Sequence, residues 1–113
     1  MKSTRATGAQ HEEEAARYLE RRGYGIVERN FRSRRGEIDI IATEGSVLVF
    51  IEVRYRAAGG IGAAYTVNHQ KQERLRRCAA AYLMRYPWSG DVRFDVVAIN
   101  GNQTTLYQDA FRG

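Results

Sequence analysis

Proline occurs once in these 113 residues, cysteine once, and lysine only at positions 2 and 71. A lone Pro87 leaves no proline-rich spacer, and no Gly/Ser tract or internal repeat marks a domain boundary, so residues 1–113 read as one domain. Cys78 by itself has no partner for an internal disulfide and no second thiol for a zinc pair. No apolar run approaches the roughly 18 residues that a membrane span needs. The opening MKSTRATGAQHEEEAARYLE has no apolar core and soon turns acidic, unlike a secretory leader. These absences predict a cytoplasmic protein, with no membrane partner and with residues 1–6 disordered.

Because lysine is so scarce, the net charge of +5 comes almost wholly from arginine. Guanidinium forks match phosphate geometry, so an arginine-rich basic domain points toward nucleic acid more than toward membrane. The plain alternative is a solvated basic surface.

Hydrophobic periodicity orders the chain. Ala15, Ala16, Tyr18 and Leu19 mark one side of a helix expected over 8–22, opened by a Thr7–Gln10 capping box and closed by Gly23. Glu13 and Arg17 pair on its wet side. Glu12 lies near the line through Ala16 and Leu19. It reads either as a first-turn acid favoured by the helix dipole or as a functional carboxylate aimed inward.

Strands follow near 24–31, 36–43 and 46–56, then a glycine-rich segment to Val67 that reads as a closing loop. A second helix is predicted from Asn68 to just before Pro87, with the stripe Leu75, Cys78, Ala79, Tyr82, Leu83, Tyr86. Cys78 in mid-stripe reads as a core thiol. Lys71 is one turn ahead of Leu75, so its ammonium either snorkels outward or serves a site on the sheet. A strand near 91–99, a type I′ turn at Asn100–Gly101 and an edge strand QTTLYQDAF complete the chain. Asp95 reads as a carboxylate satisfied by Arg93. The order α-β-β-β-α-β-β predicts an α/β domain in which a helical crossover makes the fourth strand parallel to the third.

Chemistry concentrates in GEIDIIATEGSVLVFIEVRYR, residues 36–56. Period-2 alternation puts Glu37 and Asp39 on one face of their strand, and Glu52, Arg54 and Arg56 on one face of the next. Carboxylates inside such apolar runs are costly to bury unless paired or metal-bound. Asp39 and Glu52 offer hard oxygen donors, suited to Mg²⁺ or Mn²⁺ and not to zinc or iron. With a cation alongside, such a site suits phosphodiester hydrolysis. Arg29, Arg32, Arg34 and Arg35 lead into it, and with Arg56 they are the candidate phosphate contacts.

The spacing D-x(12)-E-x-[K/R], from Asp39 through Glu52 to Arg54, resembles the PD-(D/E)xK nuclease superfamily. More closely, GEIDIIA, VFIEVRYR, the Lys71 helix and RFDVVAI resemble the YraN-like family of bacterial proteins, described as endonuclease-like and similar to archaeal Holliday-junction resolvases. The resemblance runs in order from about Gly8 to the C-terminus. It implies a restriction-endonuclease-like core, a mixed sheet of about five strands with helices packed on it. It makes Asp39 and Glu52 metal ligands, Glu12 a further ligand through water, and Glu37 a neighbour that touches the ion or braces an arginine. The third signature position holds Arg54 in place of lysine, and arginine cannot act as a general base. Arg54 serves if the position only stabilises charge. Otherwise Lys71 supplies the ammonium, as in nucleases where that lysine has moved to a neighbouring helix.

The expectation is therefore a metal-dependent endonuclease acting on DNA or branched nucleic acid, with Asp39, Glu52, Arg54 and Lys71 as catalytic residues. The alternative is a nucleic-acid-binding protein that keeps the fold without cleaving. Symmetric cutting of a junction would require a homodimer.

Overall fold

A computed structural model describes residues 4–56 and 68–111. The closing loop expected before Val67 lies outside these residues. Helix α1 (Thr4–Arg21) leads into strands β1 (Gly25–Ser33), β2 (Gly36–Glu44) and β3 (Val47–Arg56). Helix α2 (His69–Arg85), β4 (Val92–Asn100) and β5 (Gln103–Tyr107) follow. The strands form one sheet in the order β1-β2-β3-β4-β5. All neighbours are antiparallel except β3 and β4, which run parallel, as a crossover through α2 requires.

One helix covers each face. On the α1 side, Ala15, Ala16 and Leu19 bury against Ile40, Ala42, Val49, Ile51, Val97 and Ile99. On the α2 side, Leu75, Cys78, Ala79 and Tyr82 bury against Ile38, Ile41, Phe50 and Val96. Covered on both faces, the central strands carry near-continuous apolar runs instead of alternating ones. Cys78 is fully buried among them; its thiol accepts from Ser33 Oγ at 3.3 Å and reaches the Gly36 carbonyl at 3.5 Å.

The ends of the elements follow from local chemistry. Gly23, at φ 93°, ends α1: its N–H reaches the Glu20 carbonyl while Tyr24 N–H reaches Leu19, both at 3.0 Å. Asn68 caps α2 by accepting from the Lys71 amide at 2.8 Å. Three expectations are corrected. Helix α1 begins at Thr4, so residues 4–6 are helical and Thr7 lies inside the helix, not at its cap. The β4–β5 turn is centred on Gly101–Asn102, since Asn100 pairs with Gln103. Gly101 has φ 59° and Asn102 does not share that sign, whereas a type I′ turn needs positive φ at both centres. Strand β5 stops at Tyr107, because Asp109 turns to φ 54° and sends Phe111 into the α2-side core.

Candidate functional site

Strand β2 breaks step where the site forms. Ile38 faces the α2-side core, yet Ile40, two residues on, faces the α1 side. Strict alternation would put both on one face. The β1 ladder pairs Arg29 with Ile40 and Phe31 with Ile38 but skips Asn30 and Asp39 between them, and Asn30 takes φ 57°. On the other side, β2 and β3 are paired from Glu44–Val47 to Ile40–Ile51 and no further. Beyond that point the strands part. Asp39 and Glu52 would have been the next pair, and both open into the gap.

The gap is a pocket of about 360 Å³, and Glu37, Asp39, Glu52, Val53, Lys71 and Arg74 contribute to its wall. The Val53 amide, released from the ladder, donates to Asp39 Oδ2 at 2.8 Å. Glu52 is buried, its side chain only 8% exposed, and Lys71 Nζ lies 2.6 Å from its Oε2. Lys71 gets there because it precedes Leu75 by one turn on the buried line of α2. Of its two sequence readings, the structure takes the one that faces the sheet.

Burial pushes the Asp39 carboxyl up to about 7, with the Glu52 charge the next cause. The Val53 hydrogen bond works the other way, while Glu12 and Glu37 add to the rise. Glu37, Asp39 and Glu52 thus share the wall with Lys71 and Arg74, and the donors the pocket offers are carboxylate oxygens. That combination fits a hard divalent cation held by Asp39 and Glu52. Among the described residues, however, no three His, Cys, Asp or Glu side chains converge on one ion position. Glu12 lines an adjacent hollow with Asn30, Arg32 and Glu37 instead of the pocket itself. Beside it, His11 stacks on Tyr55, ring centroids 3.5 Å apart, and so fastens α1 to the end of β3. Glu12 therefore does not join Asp39 and Glu52 in the wall of this pocket.

The remaining candidates divide. Arg54 is half-buried on β3 and does not line the pocket, although it occupies the third signature position. Arg29 is engaged by Glu13 at 2.6 Å and Arg32 by Glu37 at 3.4 Å. The carboxylate of Glu13 is held below its ordinary range by Arg29, and Arg17 adds to this at 3.1 Å. Arg34 and Arg35 are exposed at the β1–β2 turn, and Arg56 is exposed at the end of β3. Arg74 was not among the sequence's candidates. Arg74 follows Lys71 by three residues, a spacing that puts both on one side of a helix and was signal enough.

A second polar assembly lies elsewhere. Asp95, fully buried, accepts from Tyr24 Oη at 2.7 Å, from Arg93 Nε and Nη2 at 2.9 Å each, and from the Asp109 amide at 2.9 Å. Arg93 Nη2 also reaches Glu44 at 2.7 Å, and Gln108 donates to Tyr24 Oη at 2.9 Å. Asp95 satisfied by Arg93 is as the sequence led us to expect, and no buried polar side-chain atom is left unpaired among the described residues.

Known proteins resemble this chain over most of its length. Residues 11–99 match the model of the uncharacterised protein family UPF0102. A UPF0102 protein of Halorhodospira halophila is 49% identical over 109 residues, covering 96% of this chain and 88% of its own. The UPF0102 protein YraN of Escherichia coli O1:K1 is 43% identical over 113 residues, covering 96% and 86%. The matched span includes Glu12, Asp39, Glu52, Lys71 and Asp95, so both polar assemblies fall within it. The chain belongs to the UPF0102 family, of which YraN is a member.

Proposed function

We propose that this protein is a metal-dependent endonuclease of the PD-(D/E)xK type, with a restriction-endonuclease-like core, hydrolysing phosphodiester bonds of DNA or of branched nucleic acid. The observation that carries the reading is the convergence of Asp39, Glu52 and Lys71 on one pocket, at the point where β2 and β3 separate. Asp39 and Glu52 would hold Mg²⁺ or Mn²⁺, which would supply Lewis-acid chemistry for phosphodiester hydrolysis.

The chain's own residues do the rest. Val53 N–H fixes Asp39 through Oδ2, and Oδ1 accepts no hydrogen bond from a described residue, so it faces ion or water. Lys71 balances the Glu52 charge before substrate arrives, and its ammonium then stabilises negative charge on the reacting phosphate. Arg74, on the same side of α2, adds a fork for a non-bridging oxygen. Water oxygen bonds to phosphorus as the ester oxygen leaves, and one proton passes from the water to the leaving group or solvent. Lys71 takes the place that Arg54 holds in the signature.

The alternative is a nucleic-acid-binding protein that does not cleave. Arg54 in the lysine position and the absence, among the described residues, of a three-carboxylate ion site favour it. Among these residues no helix is long and apolar enough to cross a membrane. Nicking of supercoiled plasmid and of a four-way junction in Mn²⁺, wild type against Glu52→Gln, decides between the two. Metal-dependent nicking lost in Glu52→Gln supports the enzyme. Metal-independent binding without nicking, in both proteins, supports the alternative.

A further inference from the structure

The arginines near the pocket are not equivalent. Arg29 and Arg32, the sequence's first candidates for phosphate contact, are held by Glu13 and Glu37. Arg76 is held by Glu73 and by the Phe111 carbonyl. Arg34, Arg35, Arg74 and Arg77 are exposed, and none makes an ion pair with a described residue. Arg35, Arg74 and Arg77 border one stretch of surface. Arg74 lines the pocket, and its aliphatic stem passes 3.9 Å from the place a Cβ would occupy on Gly36, the residue that leaves the β1–β2 turn. One helical turn on, Arg77 meets Arg35 of that turn across an open hollow of about 550 Å³, floored by Ala80 and Ala81 and ended by Met84.

From Lys71 to Arg77 the helix advances about 9 Å. The hollow thus continues the pocket outward along the exposed face of α2. Its floor carries no side chain longer than a methyl group until Met84, which is 86% exposed. A basic trough with a low floor suits a polyanionic backbone. Its guanidinium forks are unpaired, so phosphates entering it would meet them with no internal ion pair to break first.

We propose that the nucleic-acid strand leaving the Asp39–Glu52–Lys71 pocket runs along α2, its phosphates held by Arg74, Arg77 and Arg35. This rests on the reading of nucleic acid as the partner. It moves the binding surface from Arg29 and Arg32 on β1 to the turn and the helix.

The test is fluorescence anisotropy with a short labelled DNA oligonucleotide, single-stranded and as its duplex, in EDTA, titrated over a range of salt. Arg35→Ala/Arg77→Ala is expected to weaken binding at least tenfold at low salt. It should also flatten the log–log salt dependence by about 1.5 to 2, two phosphate contacts' worth. Ala80→Glu, which keeps a helix-forming residue but places an acid on the floor, should weaken binding as well. Arg29→Ala/Arg32→Ala should leave the slope unchanged. Wild-type binding that survives Arg35→Ala/Arg77→Ala with its slope intact overturns the α2 path and leaves the nucleic-acid reading standing. Wild-type protein that binds neither probe at low salt overturns both.

Discussion

Lys71 Nζ sits 2.6 Å from Glu52 Oε2, so the ammonium of one element neutralises the buried carboxylate of another across the gap between two parting strands. Lys71 reaches into this gap from α2, while Arg54, two residues beyond Glu52 on its own strand, does not line it.

Replacing Lys71 should therefore do more damage than replacing Arg54. Lys71→Met leaves Glu52 buried without its cation, at a cost of about 1–3 kcal/mol. It should also reduce nicking about 100-fold or more, as loss of one charge-stabilising donor does. Arg54→Met should cost less than about tenfold. Single-turnover nicking rates and urea unfolding of both variants check this; a larger loss at Arg54 would return the signature role to that residue.

Asp39→Asn should stabilise the metal-free protein at alkaline pH. The folded carboxyl titrates near 7, well above its value in an unfolded chain, so the folded state holds the proton more tightly. Stability from this group is therefore present at low pH and falls as pH rises from about 4 to about 7. Removing the charge should recover roughly 2–4 kcal/mol at pH 8 and little at pH 4. Thermal melts in EDTA at the two pH values measure it. Added Mn²⁺ should raise the wild-type Tm and not that of Asp39→Asn.

Tyr24 makes the opposite end of the molecule sensitive to base. Burial and the neighbouring Asp95 push its hydroxyl up to about 12. Its contribution is intact below pH 10 and is lost as pH rises toward 12. Tyr24→Phe should lose that part of the alkaline slope, and at neutral pH should cost about 1–3 kcal/mol as Arg93 and Gln108 lose an acceptor. Chemical denaturation at pH 7 and pH 11 compares the two proteins.

Asp95→Ala should be the most damaging change considered, because it strips Arg93 of its two-pronged partner in the interior. A loss of about 3–5 kcal/mol follows, a large fraction of a small domain's stability. Circular dichroism melts should show it unfolding far below wild type, whereas Asp91→Ala, on the loop before β4, should melt close to wild type.

What could be read from the sequence was what local pattern encodes. Asp39 and Glu52 stood out as acids interrupting apolar runs, and Lys71, on the line of Leu75, was narrowed to two directions, of which the structure takes the inward one. The element order followed from periodicity, and the parallel joint from the crossover helix. Three-dimensional coincidence was not legible. Tyr24 lies 71 residues from Asp95 and 84 from Gln108, separations that leave no local trace. The step in β2 also escaped, because alternation assumes an unbroken pleat. Glu37 and Asp39 reach one pocket although the strand between Ile38 and Ile40 changes face. Arg29 looked available because Glu13 was assigned to the wet side of α1 with Arg17, whereas for Glu37 the reading as an acid that braces an arginine is the one Arg32 meets.

The parallel joint between β3 and β4 has a consequence for how the site comes into being. Antiparallel neighbours here are joined by two-residue turns and can zip locally. β4 can pair with β3 only after the chain has travelled through α2. Lys71 belongs to that traveller, and Glu52 to the strand that waits for it. The charge pair at the centre of the pocket therefore closes only when α2 docks back on the sheet, a longer closure than any two-residue turn. A partly folded chain would hold Asp39 and Glu52 unbalanced, and the site would be switched on by completion of the domain itself.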